Sequence, residues 1–108
     1  MNLPVETIAF RMVLNAGMKA EYQRRHDEIW PELVSELRQR GVLDYWIFLD
    51  EASNHLFAFL VRRKDHHLDE LPQQIIMKKW WAHMADIMAT NADQSPVQQP
   101  LLPVFHLP

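Results

Sequence analysis

Tyr22 and His26 stand four residues apart in Glu21-Tyr22-Gln23-Arg24-Arg25-His26, a spacing that brings both side chains to one face of a helix. An imidazole titrates near neutral pH, so it can give a proton and take it back within one cycle. Further along, Trp80 and Trp81 are adjacent. On a helix they diverge by roughly a quarter turn, so one ring can pack inward while the other borders a cavity. Tyr45 sits in a strand-like run, and its hydroxyl needs a polar partner if buried. Each has a structural alternative: Tyr22 and His26 as core packing with the imidazole bonded to backbone, the tryptophans and Tyr45 as structural aromatics. Arg24 and Arg25 read as surface charges, or as one that reaches a ligand oxygen or a carboxylate.

Taken together, these residues suit a small polyhydroxylated ligand. Aromatic faces match the C–H faces of a sugar, and Tyr hydroxyls and His match its oxygens, the usual pairing of apolar walls with a few placed polar groups. Other chemistries lack their residues. With no cysteine there is no disulfide framework, thiolate nucleophile or Cys-ligated zinc or iron–sulfur site. His66 and His67 point in different directions without a third ligand at metal spacing, and read as solvated loop residues. There is no His-Glu-x-x-His, no nucleophile elbow and no Asp-rich metal site. Gly17 and Gly41 are the only glycines, too few for a nucleotide-cradling loop. The expectation is a chemistry with neither cofactor nor metal.

The net charge of -3 argues against nucleic acid as a partner, since phosphate binding needs concentrated Lys and Arg. The short clusters Arg62-Arg63-Lys64 and Lys78-Lys79 read as solvated surface. No apolar stretch approaches the ~20 residues that cross a bilayer. The start, Met1 to Glu6, lacks the basic segment and apolar run of a signal peptide. A cytoplasmic protein without a membrane partner is expected.

These side chains must be positioned by a chain of 108 residues, enough for one domain over 1–108. Residues 7–14 read as a strand ended by Asn15-Ala16-Gly17. Residues 18–40 carry Tyr22, His26, Ile29, Trp30, Leu33, Val34 and Leu37 at helical spacing, with Gly41 past the end. Pro31 interrupts that pattern and predicts a bend near Trp30, or a restart with Pro31 as the first residue of a second helix. Strands at 42–49 and 55–62 flank the turn formers Asp50-Glu51-Ala52-Ser53-Asn54 and predict a hairpin. Leu43, Tyr45, Ile47 and Leu49 line one side, while Trp46 and Phe48 load the other, so both sheet faces need cover and a second subunit is the economical source. A helix follows at 73–88, then a polar loop at 90–99. A last strand within 97–107 is restricted by Pro100 and Pro103 to an edge or irregular path. The order β–α–β–β–α–β is the split βαβ arrangement of α+β ferredoxin-like folds, with helices on one face of a four-stranded antiparallel sheet.

At this point the chain resembles the L-rhamnose mutarotases. The resemblance rests on Glu21-Tyr22-Gln23-Arg24-Arg25-His26 with Ile29-Trp30-Pro31-Glu32-Leu33, and on Asp44-Tyr45-Trp46-Ile47-Phe48-Leu49-Asp50. Trp80-Trp81 with Met84-Ala85-Asp86, Asn91-Ala92-Asp93-Gln94-Ser95-Pro96 and Val104-Phe105-His106-Leu107-Pro108 complete it. It implies a dimeric α+β barrel in which two such sheets face each other, acting as a homodimer on L-rhamnose or a related monosaccharide. His26 matches the family's proton-donating histidine, and Tyr22, Tyr45, Trp80 and Trp81 its sugar-binding positions. Ala92 and Gln94 depart from an expected Pro and Asn, in the loop before the last strand.

Anomer exchange needs a proton on the ring oxygen and loss of one from the anomeric hydroxyl, then opening, rotation about C1–C2 and reclosure. Asp44, Asp86, Asp93, a Tyr hydroxyl or water are candidates for the complementary base. Two other readings share the architecture: a cofactor-independent or haem-type monooxygenase, and a noncatalytic sugar-binding dimer module.

Overall fold

A computed structural model describes residues 4–108; Met1, Asn2 and Leu3, half of the stretch read as lacking a signal peptide, lie outside them. Four strands form one antiparallel sheet in the order β2-β3-β1-β4. They are β1 (Val5–Val13), β2 (Val42–Asp50), β3 (His55–Arg63) and β4 (Gln99–Leu101). Since β3 separates β1 from β2 and runs antiparallel to both, the expected split βαβ topology is present. Helices α1 (Lys19–Asp27), α2 (Pro31–Gln39) and α3 (Ile75–Met84) complete the α+β layer structure.

Pro31 restarts the chain rather than bending it. Trp30 is extended, with φ -67° and ψ 130°, and Pro31 occupies the first turn of α2, where its missing N–H has no intrahelical partner to lose. α1 is held by side-chain pairs at three- and four-residue spacing, Glu21 with Arg24 and Arg25, and Arg24 with Glu28. At the far end of α2, Gly41 takes φ +117°, and a Cβ there would stand 2.8 Å from that of His66. Only glycine fits that turn.

The core lies between the helices and one sheet face. Met12, Leu14, Leu56 and Ala58 from the sheet meet Leu33, Met77, Trp80 and Met84 from the helices. Tyr45, Ile47 and Leu49 face the same way, each opposite a buried residue of β3. Leu43 does not. A bulge between Val42 and Asp44 shifts the register, so Val42 is buried and Leu43 exposed. Strict alternation cannot reveal such an inserted residue.

α3 is shorter than its periodicity. A 3-10 turn (Leu68–Gln73) precedes it, and the helix ends at Met84 because Asn15 N–H bonds to the Ile87 carbonyl and Leu14 bridges Met88. Ile87 and Met88 still reach the core, from a turn. The last strand is confined to Gln99–Leu101, after which Leu102, Val104, Phe105 and Leu107 are 78–95% exposed.

His66 is not solvated. Its Nδ1 accepts the Leu68 N–H at 3.1 Å and its Nε2 lies 3.7 Å from Glu6, whereas His67 is exposed. Arg62 and Arg63 pair with Glu6 and Asp65. Among the described residues no helix is long and apolar enough to cross a membrane.

Candidate active site

The spacing of α1 delivers Tyr22 and His26 to its sheet-facing side, with ring centroids 4.3 Å apart. His26 Nδ1 lies 2.9 Å from the Tyr22 carbonyl oxygen. A carbonyl only accepts, so Nδ1 carries the proton and Nε2 keeps its lone pair. Burial lowers the imidazole pKa below 6.5, opposed by the bond to the Tyr22 carbonyl and by the Asp27 charge. His26 therefore rests neutral at pH 7, as a base at Nε2.

Trp80 meets that ring edge-on at 5.4 Å and is itself braced by Trp30 at 5.1 Å. It is almost fully buried; Trp81, about a quarter turn away, is half-buried. Both line the same cleft as Tyr22, His26 and Tyr45, a space of about 1260 Å³ between the helices and the sheet. The structure thus brings all five expected residues together.

Tyr45 comes from β2 and packs edge-on to Phe10. It lines the cleft with 37% of its surface exposed, and desolvation on the cleft side pushes its pKa up to about 12. Tyr22 is raised further by burial, with a smaller contribution from the neighbouring Tyr45. Both phenols are protonated at neutral pH and present hydrogen-bond donors.

The carboxylates separate clearly. Asp86 is held by Arg25, with contacts of 2.7 and 3.2 Å, which lowers its pKa. Both Asp44 oxygens are engaged on their own strand, by the Tyr45 N–H and the Trp46 indole N–H. Asp93 lines the cleft from the loop after α3, where the Ser95 hydroxyl and N–H hold its carboxylate ionised. That loop is closed by Asn91, whose amide donates to Ser95 Oγ and the Pro96 carbonyl, and Gln94 takes φ +69°.

Sequence reasoning missed Trp30 and His83 as supports of the site. His83 lies 5.6 Å from Trp80 and 5.4 Å from Trp30. Its three-residue spacing from Trp80 on α3 was the available signal. Of the readings open to Arg25, a surface charge, a ligand contact or a carboxylate partner, the structure shows the last: its side chain is 11% exposed and pairs with Glu21 and with Asp86 beyond α3. Among the described residues, no three His, Cys, Asp or Glu side chains are grouped so as to hold a metal ion.

The L-rhamnose mutarotase family profile matches residues 7–107. An L-rhamnose mutarotase of Burkholderia ambifaria is 62% identical over 104 residues, 96% of this chain and all of its own. One from Paraburkholderia phytofirmans is 65% identical over 103 residues, 95% of this chain and 96% of its own. The crystal structure of the L-rhamnose mutarotase of Formosa agariphila superposes with a TM-score of 0.88 at 48% identity, covering 95% of this chain and 99% of that one. A neutral imidazole in an aromatic cleft, a profile match over nearly the full length and relatives covered almost end to end lead to one conclusion: the chain belongs to the L-rhamnose mutarotase family.

Proposed function

We propose that the protein interconverts the α and β pyranose anomers of L-rhamnose, with His26 as the group that moves the proton. The observation that carries this reading is the tautomer of His26, whose Nδ1–H is committed to the Tyr22 carbonyl so that Nε2 is basic within the cleft. In the forward half-reaction Nε2 takes the proton of the anomeric hydroxyl while a Tyr phenol gives one to the ring oxygen. The C1–O5 bond breaks, leaving an aldehyde, an imidazolium and a phenolate. After rotation about C1–C2, the 5-hydroxyl returns its proton to the phenolate and attacks the other face of C1. The imidazolium protonates the new anomeric oxygen, so His26 acts as acceptor and then as donor. Such acid–base help contributes ~10²–10⁴-fold in rate.

Tyr22 and Tyr45 supply the protonated phenols. Trp80 and Trp81 offer faces for the sugar's C–H surface, and of the three candidate aspartates Asp44 and Asp93 line the cleft without a counter-cation, Asp44 with both oxygens bonded on its own strand. The exposed aromatic face of the sheet supports a homodimer. Trp46 and Phe48 stack there with centroids 6.1 Å apart, beside Phe57 and Phe59. The absence of cysteine accords with the cytoplasm as the working compartment.

The test is two-dimensional exchange NMR on L-rhamnose, L-fucose and a panel of D-sugars. L-rhamnose anomers should exchange far faster with protein than in buffer, and faster than the other sugars. Exchange of L-rhamnose at the buffer rate would remove the proposal.

A further inference from the structure

We propose that Arg25 is a positioning residue, the polar tie that holds α1 against the carboxyl end of α3 and so sets His26 against Trp80. The inference rests on the proton-transfer reading of His26 given above. Arg25 precedes His26 directly, so any shift of α1 there displaces the imidazole. Its guanidinium donates from Nη1 to the His83 carbonyl at 2.6 Å and to Asp86 Oδ1 at 2.7 Å, from Nη2 to Asp86 Oδ2 at 3.2 Å, and from Nε to Glu21 at 2.8 Å. Among the described residues the bonds to His83 and Asp86 are the side-chain hydrogen bonds that join α1 to α3 and the turn after it, and the bond to Glu21 steadies the guanidinium from within α1. The same interface also holds the edge-on contact of His26 with Trp80 and the apolar cluster that Tyr22 shares with Trp80 and Met84.

Three features separate this tie from an ordinary surface ion pair. The Arg25 side chain is only 11% exposed, although Asp86 is 68% exposed, so packing around the arginine restrains where its guanidinium can point. The pairing with Asp86 is two-pronged, the planar match of guanidinium to carboxylate that fixes orientation as well as distance. The third acceptor, the His83 carbonyl, belongs to the last turn of α3, where the helix leaves carbonyls without internal partners. His83 and Trp30 pack around Trp80, so the tie ends on the same cluster that braces the indole. A small displacement of a reacting group costs rate more than it costs binding.

Four variants test the assignment: Arg25→Ala, Arg25→Lys, Asp86→Ala and His26→Ala, each assayed by exchange NMR over a series of L-rhamnose concentrations. Arg25→Ala is expected to lower kcat by about tenfold or more while KM changes less than about threefold. Arg25→Lys, which keeps a charge but not the fork, should recover to within about threefold to fivefold of the wild type. Asp86→Ala retains the bonds to Glu21 and the His83 carbonyl and should lose about threefold in kcat; it carries the test if Arg25→Ala does not fold.

A second readout is the NMR titration of His26, which packs on Tyr22 of α1 and Trp80 of α3, feels the Asp27 charge, and shares the cleft with Tyr45 of β2 and Asp93 of the following loop. Loosening α1 admits water and should raise its midpoint in Arg25→Ala. Wild-type kcat in both Arg25→Ala and Asp86→Ala, or a folded Arg25→Lys no better than Arg25→Ala with His26 titrating as in the wild type, would overturn the proposal. His26→Ala separates the two readings. If it is inactive while the Arg25 and Asp86 variants are unimpaired, only the tie fails; if it is fully active, the proton-transfer role fails and the tie with it.

Discussion

Replacing Trp46 with glutamate tests the outer face of the sheet. Trp46 is 54% exposed there, stacked against Phe48 and opposite Phe59. An indole of up to ~250 Å² at that exposure leaves roughly 130 Å² open on each protomer. At about 25 cal/mol per Å², covering it contributes about 3 kcal/mol, and a two-fold dimer uses the patch twice, giving about 6 kcal/mol as an upper bound. Area converts incompletely to affinity, because side chains are ordered on association, so about half that figure is the working expectation. About 3 kcal/mol is a loss of about a hundredfold in dimer affinity. An unpaired carboxylate in an apolar interface adds to it. Trp46 points away from the cleft, so the core and the helix packing should survive. Sedimentation velocity over a concentration series, with circular dichroism as a check on folding, measures the effect. A wild-type protein that stays monomeric throughout, or a Trp46→Glu protein that dimerises as tightly as the wild type, would refute the reasoning.

Further outcomes follow from the cleft and the turns. Gly41→Ala should destabilise by about 2–4 kcal/mol, combining positive-φ strain with the clash at His66; an unchanged denaturation midpoint would contradict this. Activity should need neutral His26, so the acid limb of kcat/KM should have its midpoint below pH 6.5, the ordinary histidine value, because burial lowers this pKa; a midpoint at or above 6.5 would count against His26 as the base. The same shift has a sign for folding. Protons bind the unfolded chain more readily, so this contribution to stability is full above pH 6.5 and declines as pH falls toward the folded-state value. Trp81→Ala should raise KM by about tenfold with little change in Tm, whereas Trp80→Ala should also destabilise by about 3–5 kcal/mol because that indole is buried. An unaltered KM in both would exclude a stacking role.

Much of this arrangement is written locally in the chain. The turn formers at 50–54 make the hairpin, with Asp50 accepting bonds from Ala52 N–H and the Ser53 hydroxyl, and Asn54 at φ 59°. Pro31 marks the start of α2 to the residue. Helical spacing alone puts Tyr22 beside His26, and the divergence of adjacent helical positions separates a buried Trp80 from a half-buried Trp81. Other features depend on contacts far apart in sequence. Leu43 is displaced by a bulge that no alternation reveals, α3 stops where Asn15 and Leu14 compete for the following turn, and His66 is sheltered by its packing on Gly41. The tie from Arg25 to Asp86 spans 61 positions, which is why the sequence leaves Arg25 open between a surface charge, a ligand contact and a carboxylate partner until the helices are placed. Among the three aspartates, sequence offers no ranking; their neighbours Arg25, Trp46 and Ser95 distinguish them.

The role of His26 is most directly measured by magnetisation transfer between the α and β anomeric protons of L-rhamnose, with equal amounts of wild-type and His26→Ala protein. Loss of at least about a hundredfold in the enzyme-dependent exchange rate, in a variant with unchanged secondary structure, is the result expected for the acid–base group. Exchange as fast as that of the wild type would show that the proton travels by another route.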